Sequence, residues 1–401
     1  MKEELKIYKE QAGQELDRIL SYWEIFTPDT ENGGYIGKID HENKVYPKAA
    51  KGSVMHSRIL WAFSAAYVFT KNASYYALAK RAFEYLIQHF VDKEFGGVYW
   101  TVNYRGEPLD TKKQIYALAF AVYGLSEYYK AFGDEEAKQA AIKLYLAIVD
   151  HSYDKKYCGY LEAFSRNWQD MTDVRLSDKD SNEKKSMNTH LHVLEAFANL
   201  YLIFPDQELK KKIAELITIF LDHIIDNKTY HLILFFDEKW ESRSSVISYG
   251  HDIEAAWLVQ EAAEAIKDED LLNKVRKISV LVSEAVKEGL DKDGGLWYEL
   301  DTGSGHLVKQ KHSWPQAEAM VGFFNAWQIT GDENYLALSI QSWNFIKAHI
   351  IDTDKGEWIW GINDDYSAMT EEDKVGIWKC PYHNSRACIE MVKRITGTIG
   401  N

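Results

Sequence analysis

Cysteine is scarce in this chain. Cys158, Cys380 and Cys388 are an odd number with no Cys-x-x-Cys spacing, which argues for neither a disulfide framework nor a zinc site. No apolar run approaches the roughly 18 residues that a membrane span needs. The stretch from Met1 to Ile25 is charged and amphipathic and lacks the apolar core of a signal peptide. Secretion is therefore not expected, and a cytoplasmic location is. Positive charge is in deficit, with 47 Lys and Arg against 61 Asp and Glu and a net charge of -14. That balance disfavours nucleic acid and acidic membrane surfaces as partners. No proline-serine linker or low-complexity run divides the 401 residues, so one domain over 1–401 is expected.

Aromatic residues, by contrast, are abundant: 13 Trp, 25 Tyr and 17 Phe. Most suit core filling. Sugar sites also favour aromatic faces, because the C–H face of a sugar stacks on a ring while its hydroxyls need polar partners.

A glycine-plus-aromatic signal recurs about every 63 residues: Gly33-Gly34-Tyr35, Gly96-Gly97-Val98-Tyr99-Trp100, Gly159-Tyr160, Gly295-Leu296-Trp297-Tyr298 and Gly356-Glu357-Trp358. An aromatic run without glycine, Tyr230 to Phe236, fills the one missing slot. Six units of this length indicate a repeat architecture. Helical periodicity appears in twelve stretches, beginning near Glu4, Val54, Ser74, Gln114, Glu135, Asn188, Asp206, His251, Glu269, Trp314, Glu333 and His383. Short polar turns such as Gly133-Asp134 and Gly331-Asp332 follow every second helix. They read as tight helical hairpins with a stop and a cap. The remaining connections are long and carry the glycine-aromatic signals, which suits β-hairpins or extended loops. This alternation predicts an all-α toroid closed by the first helix lying beside the last, with the long loops on one rim. The helices near Val54, Gln114, Asn188, His251, Trp314 and His383 are the more apolar set and form its expected inner ring. Their N-termini share that rim, where free N–H groups and helix dipoles favour developing negative charge.

Polar residues at these inner-helix starts are unexplained by helix propensity. Arg58 lies among apolar neighbours in His56-Ser57-Arg58-Ile59-Leu60-Trp61; a buried arginine paired with a structural carboxylate is an equal alternative to a functional one. Tyr116, taken alone, reads as core. In Asn188-Thr189-His190-Leu191-His192 the two rings point about 200° apart on a helix, so a shared metal is disfavoured. Asn188 and His192 instead share a face, with Glu195 three residues on. A hydrogen-bonded core histidine remains an alternative for either ring. His251 and Glu254 also share a face at i,i+3, where the carboxylate would fix the imidazole tautomer. Trp314-Pro315-Gln316-Ala317-Glu318 opens a fifth inner helix, and Trp378-Lys379-Cys380-Pro381-Tyr382-His383-Asn384 leads into the sixth.

These stretches resemble the N-acylglucosamine 2-epimerase superfamily, most closely its members that act on β-1,4-linked disaccharides. The most specific pieces are Asn182 to His192 and Ser248-Tyr249-Gly250-His251-Asp252-Ile253-Glu254. The resemblance implies an (α/α)6 barrel that inverts C2 of the reducing-end sugar, as a monomer, with no metal or redox cofactor. By motif it implies His251 and His383 as the acid/base pair, His192 in ring opening and closing, and Arg58 as stabiliser of negative charge. Tyr116, Asn188 and Glu254 would position groups, Trp314 and Trp378 would carry the sugar, and Asp180 would meet the distal sugar. One departure stands out: Ser313-Trp314 replaces a Trp-Trp pair, which leaves preference among cellobiose, lactose and mannobiose open. An aldose–ketose isomerase, a monosaccharide or N-acylglucosamine 2-epimerase on this scaffold, a glycoside hydrolase and a three-histidine metal site are the rival readings.

Overall fold

Five tight turns set the helical pairing. Asn72, Asp134, Asp206, Asp268 and Asp332 each accept hydrogen bonds from backbone N–H groups of the first turn that follows. Such side chains satisfy donors that a helix start otherwise leaves unpaired. Four of these turns also hold a left-handed residue at the preceding helix end: Lys71, Gly133, Lys267 and Gly331. The protein is described over residues 2–400 by a computed structural model. Its helices are α1 (Lys2–Phe26), α2 (Ser53–Thr70), α3 (Ala73–Tyr85), α4 (Ile115–Phe132), α5 (Glu135–Ser152) and α6 (Met187–Tyr201), then α7 (Gln207–Ile219), α8 (Tyr249–Ile266), α9 (Glu269–Val286), α10 (Ser313–Thr330), α11 (Glu333–Phe345) and α12 (His383–Ile399).

The even-numbered helices touch in the order α2, α4, α6, α8, α10, α12 and back to α2, and α1 packs on α12 to close the outer layer. This is an (α/α)6 barrel. Burial separates the two rings: every residue of α4 from Ile115 to Tyr128 is buried, whereas α5 buries one stripe, including Ala137, Ala141, Leu144 and Ile148. An all-round apolar helix belongs inside and an amphipathic one outside.

Each long connection repeats one design. A single antiparallel bridge closes a loop in all six units, at Pro28–Tyr35, Val91–Val98, Tyr153–Tyr160, Ile225–Leu232, Leu290–Leu296 and Ile351–Trp358. An aspartate just after the first bridge residue accepts loop N–H groups, as Asp29 does from Glu31 and Asn32. Left-handed backbone follows at the glycines; in the fourth unit Tyr230, at φ 62°, takes that conformation without being glycine. The recurring signal is thus a backbone requirement, and the missing slot meets it at some strain. Beneath five of the loops a buried lysine reaches the aspartate: Lys51–Asp29 at 2.7 Å, Lys113–Asp92 at 2.8 Å, Lys185–Asp154 at 2.9 Å, Lys311–Asp291 at 2.7 Å and Lys374–Asp352 at 2.7 Å. Inner-helix side chains then stitch the loops down. His56, His190, Asp252 and Gln316 accept the backbone N–H of Tyr35, Tyr160, Leu232 and Leu296.

Candidate active site

All six inner helices begin on the rim that carries the long loops, and solvent reaches only part of it. The first turns of α2 and α4 are wholly buried, whereas α6, α8, α10 and α12 each leave one early residue half-buried: Asn188, His251, Trp314 and His383. These four are all among the residues singled out in the sequence. Arg58, Tyr116, His192 and Glu254 lie deeper and are buried.

The His-x-His pair divides as the helical geometry requires. His190 bonds Ser186 O at 2.7 Å and Tyr160 N at 2.8 Å and serves the fold. His192 faces the ring interior, edge-on to Tyr116, with Nδ1 2.9 Å from Glu195 Oε2. His251 differs from expectation. Its Nδ1 meets Ser248 Oγ at 2.8 Å, not Glu254. Ser248 ends the strand Val246–Ser248 and stands one turn before the ring, so it reaches the imidazole first. Glu254 turns inward instead, toward Arg386 at 2.7 Å, and lies 3.9 Å from His383 Nδ1. His383 Nδ1 is held by Glu318 Oε1 at 2.7 Å. Because the carboxylate accepts from Nδ1–H, the Nε2 of His383 carries its lone pair. Burial and the nearby His192 push His251 down to about 3, and burial with Arg58 and Arg386 pushes His383 well below the ordinary histidine value. Both imidazoles are therefore neutral bases at pH 7.

Arg386 is the functional residue that the sequence reading missed. It bonds Glu195 Oε1 at 2.5 Å, Glu254 Oε1 at 2.7 Å and Glu318 Oε1 at 2.7 Å, joining α6, α8, α10 and α12. Against the cost of burial, Arg386 and His192 hold Glu195 down to about 2. Burial and the facing Glu318 raise Glu254 to about 7. Among the described residues, Glu254, Glu318 and His383 bring donor atoms within 4.8 Å of one another, a spacing that suits a metal ion. The Arg386 guanidinium already bridges the two carboxylates, and the cluster does not consist of three imidazoles. An arginine directly ahead of the apolar run Ala387-Cys388-Ile389 was the one available signal for this residue.

Arg58 has no carboxylate partner among the described residues, which removes the structural ion pair as its explanation. It donates to Tyr116 Oη at 2.7 Å and lies over the rings of Phe120 at 4.1 Å and Tyr382 at 4.7 Å. Its Nε, like Asn188 Oδ1, is buried without a partner. Trp314 packs against both imidazoles, with ring centroids 4.7 Å from His251 and 5.5 Å from His383. Trp378 lies on the other sector, 5.5 Å from Trp100 and 6.1 Å from Tyr116. Asp180 is placed farther out: it accepts from Ser177 N at 2.8 Å and Oγ at 2.9 Å, and its charge bears on Glu299 and Tyr298. Tyr298 stacks on His312 at 3.9 Å and meets Trp314 edge-on at 6.5 Å. That arrangement makes a continuous wall from Trp314 outward.

Known proteins match this chain over most of its length. The family model described as N-acylglucosamine 2-epimerase (GlcNAc 2-epimerase) matches residues 34–387. A cellobiose 2-epimerase of Bacteroides fragilis is 48% identical over 388 residues, covering 96% of this chain and 99% of that protein. One from Dictyoglomus turgidum is 40% identical, covering 98% and 100%. The solved cellobiose 2-epimerase from Bacillus thermoamylovorans B4167 superposes with a TM-score of 0.93 at 38% identity, covering 97% of this chain and 100% of that one. The chain belongs to the N-acylglucosamine 2-epimerase family and is a sugar epimerase of the isomerase class.

Proposed function

We propose that this chain inverts C2 of the reducing-end sugar of β-1,4-linked disaccharides, with cellobiose, lactose and mannobiose as candidate substrates. The observation that carries the proposal is the pair His251 and His383. They are two neutral imidazoles on separate helices, each held through Nδ1 and each in ring contact with Trp314. Neither Nε2 has a protein partner among the described residues.

C2 of a closed hemiacetal is not acidic, so the ring must open first. His192, oriented by Glu195, passes a proton between the ring oxygen and the anomeric hydroxyl. In the open sugar C2 adjoins an aldehyde, and its deprotonation gives a cis-enediolate. Arg58, a cation that no carboxylate neutralises, faces that charge; a preorganised donor at such an oxyanion is worth about 3–4 kcal/mol. Inversion needs a proton taken from one face and returned to the other: one imidazole takes the C2 proton at Nε2 and becomes imidazolium, the second delivers to C2 a proton that its own Nε2 has drawn from solvent, and proton exchange with solvent resets the pair. Rotation about C2–C3 in the intermediate brings the second imidazole to the opposite face. Trp314 and Trp378 offer rings for stacking, Tyr116, Asn188 and Glu254 position groups around the reacting end, and Asp180 and its neighbours receive the distal sugar. A hydrolase would need two opposed carboxylates, whereas Glu254 and Glu318 share one guanidinium.

The test is replacement of His251 and His383, each by Asn, with epimer formation and C2 hydrogen exchange followed in D2O on cellobiose, lactose, mannobiose, mannose and N-acetylglucosamine. Loss of both readouts in both variants is expected. Wild-type turnover in either variant would remove that histidine from the role, and a ketose product would make the chain an isomerase. Because both pKa values are depressed, the neutral base persists as pH falls below 6.5, so the acid limb of kcat/KM lies below the ordinary histidine range.

A further inference from the structure

The fourth repeat departs from the other five at one load point. Where Lys51, Lys113, Lys185 and Lys311 each stand two residues before the start of an inner helix, the fourth repeat has Ile247, and Asp226 binds only backbone and hydroxyl groups of its own loop. The cation is supplied instead by His231, on the loop itself. His231 is 5% exposed, with Nδ1 2.6 Å from Asp252 Oδ2 and Nε2 3.2 Å from Glu288 Oε1. Asp252 is fully buried and also accepts Leu232 N–H at 2.8 Å. It directly follows His251 in the first turn of α8.

We propose that His231 is a positioning residue, whose doubly protonated ring ties the first turn of α8, and with it His251, to the end of the neighbouring helix α9. Only an imidazolium satisfies both carboxylates at once: Nδ1–H donates to Asp252, and the positive ring faces Glu288 as an ion pair across 3.2 Å. In the neutral ring, with the proton kept on Nδ1 by Asp252, the Nε2 lone pair faces the Glu288 carboxylate and that link is lost. The groups around the ring are Asp252 and Tyr249 on α8, Glu288 beyond α9, and Asp226 on its own loop. Tyr249 donates its hydroxyl to Glu288 at 3.3 Å, and the neighbouring cation Lys287 is paired with Glu284 at 2.5 Å. The seat is tight, since a Cβ on Gly289 would lie 2.4 Å from the Tyr249 ring. Burial disfavours the charged ring, but Asp252 and Glu288 outweigh it and raise the His231 pKa. A raised value means that the stabilisation is complete below about pH 6.5 and is lost as pH rises through the native value. The other five repeats use lysine, whose ordinary value of about 10.4 lies well above that range, although burial lowers it at Lys51, Lys113, Lys185 and Lys374.

The kinetic part rests on the role proposed for His251; the titration part does not. The experiment follows the His231 imidazole by NMR, the melting temperature and the kcat of cellobiose epimerisation from pH 6 to 9, in wild type, E288Q, H231Q and H231K. In wild type the three readouts are expected to share one alkaline midpoint, with kcat falling about two- to threefold and KM constant. E288Q should lower that midpoint in all three by about half a pH unit, the scale of a half-exposed ion pair. H231Q should hold the low alkaline kcat at every pH, and H231K should abolish the step while keeping the acid-side kcat. A His231 midpoint at or below 6.5, or one unmoved by E288Q, overturns the strut. A kcat limb that stays in place while the NMR midpoint moves overturns the positioning role. Should H231Q fail to fold, E288Q decides both points.

Discussion

Two arginines are buried in the same ring, Arg58 at 3% and Arg386 at 2% exposure, and they are treated in opposite ways. Arg386 is enclosed by three carboxylates from three helices. Arg58 receives one phenol and two aromatic faces. Charge neutralised within the protein can hold helices in register but has little left for a ligand. An uncompensated buried cation costs stability and pays off only when an anion forms in front of it. The contrast divides the ring into an α6–α8–α10–α12 sector, where carboxylates orient histidines around Arg386, and an α2–α4 sector that offers positive charge.

Five substitutions put pressure on that division. Arg386→Met should have the largest effect, because it leaves Glu195, Glu254 and Glu318 buried together; a loss of about 3–5 kcal/mol is expected in urea unfolding. Unfolding near wild type would mean that the cluster is not held by its cation. Arg58→Met should do the reverse. Turnover falls by about 10²–10³, or roughly 2.7–4 kcal/mol of barrier, while the melting temperature holds or rises. A variant that loses stability and keeps kcat would make Arg58 structural after all. Tyr116→Phe removes the hydroxyl that aims Arg58, and a hydrogen bond to a charged group suggests a cost of about 1.5–3 kcal/mol, read mainly in kcat. Ser248→Ala, at the neutral anchor of His251, should cost only about 0.5–1.5 kcal/mol. A larger loss there than from Glu318→Ala at His383 would invert the expected ranking of the two anchors.

Much of this arrangement was legible along the chain. Helix starts fall within a few residues of the periodic stretches, because an apolar face and an Asp or Asn cap are local properties. That His190 and His192 face apart followed from helical angles; that His190 is the one bonded into the fold did not. Pairing was less accessible. Glu254 and His251 share a face, yet Ser248 intercepts the ring and Glu254 turns to Arg386, a choice made by side chains 132 residues apart. Arg386 went unnoticed because its partners lie on three other inner helices, while the acidic residue nearest to it in sequence, Glu390, pairs with Lys393 and Arg394. The lysine–aspartate struts escaped for the same reason, each spanning about 20 to 30 residues of loop.

By itself, the sequence determined the six repeats, the two rings and the single rim, since these depend on periodicity, caps and left-handed turns within a few residues of one another. It also determined which polar side chains stand at the inner-helix starts. Only the tertiary structure decided which of those charges are neutralised. Closing the ring brings Glu195, Glu254 and Glu318 onto Arg386 and leaves Arg58 without a counter-ion. Electrostatic pairing is set by distance in space and by burial, and neither is a function of distance along the chain.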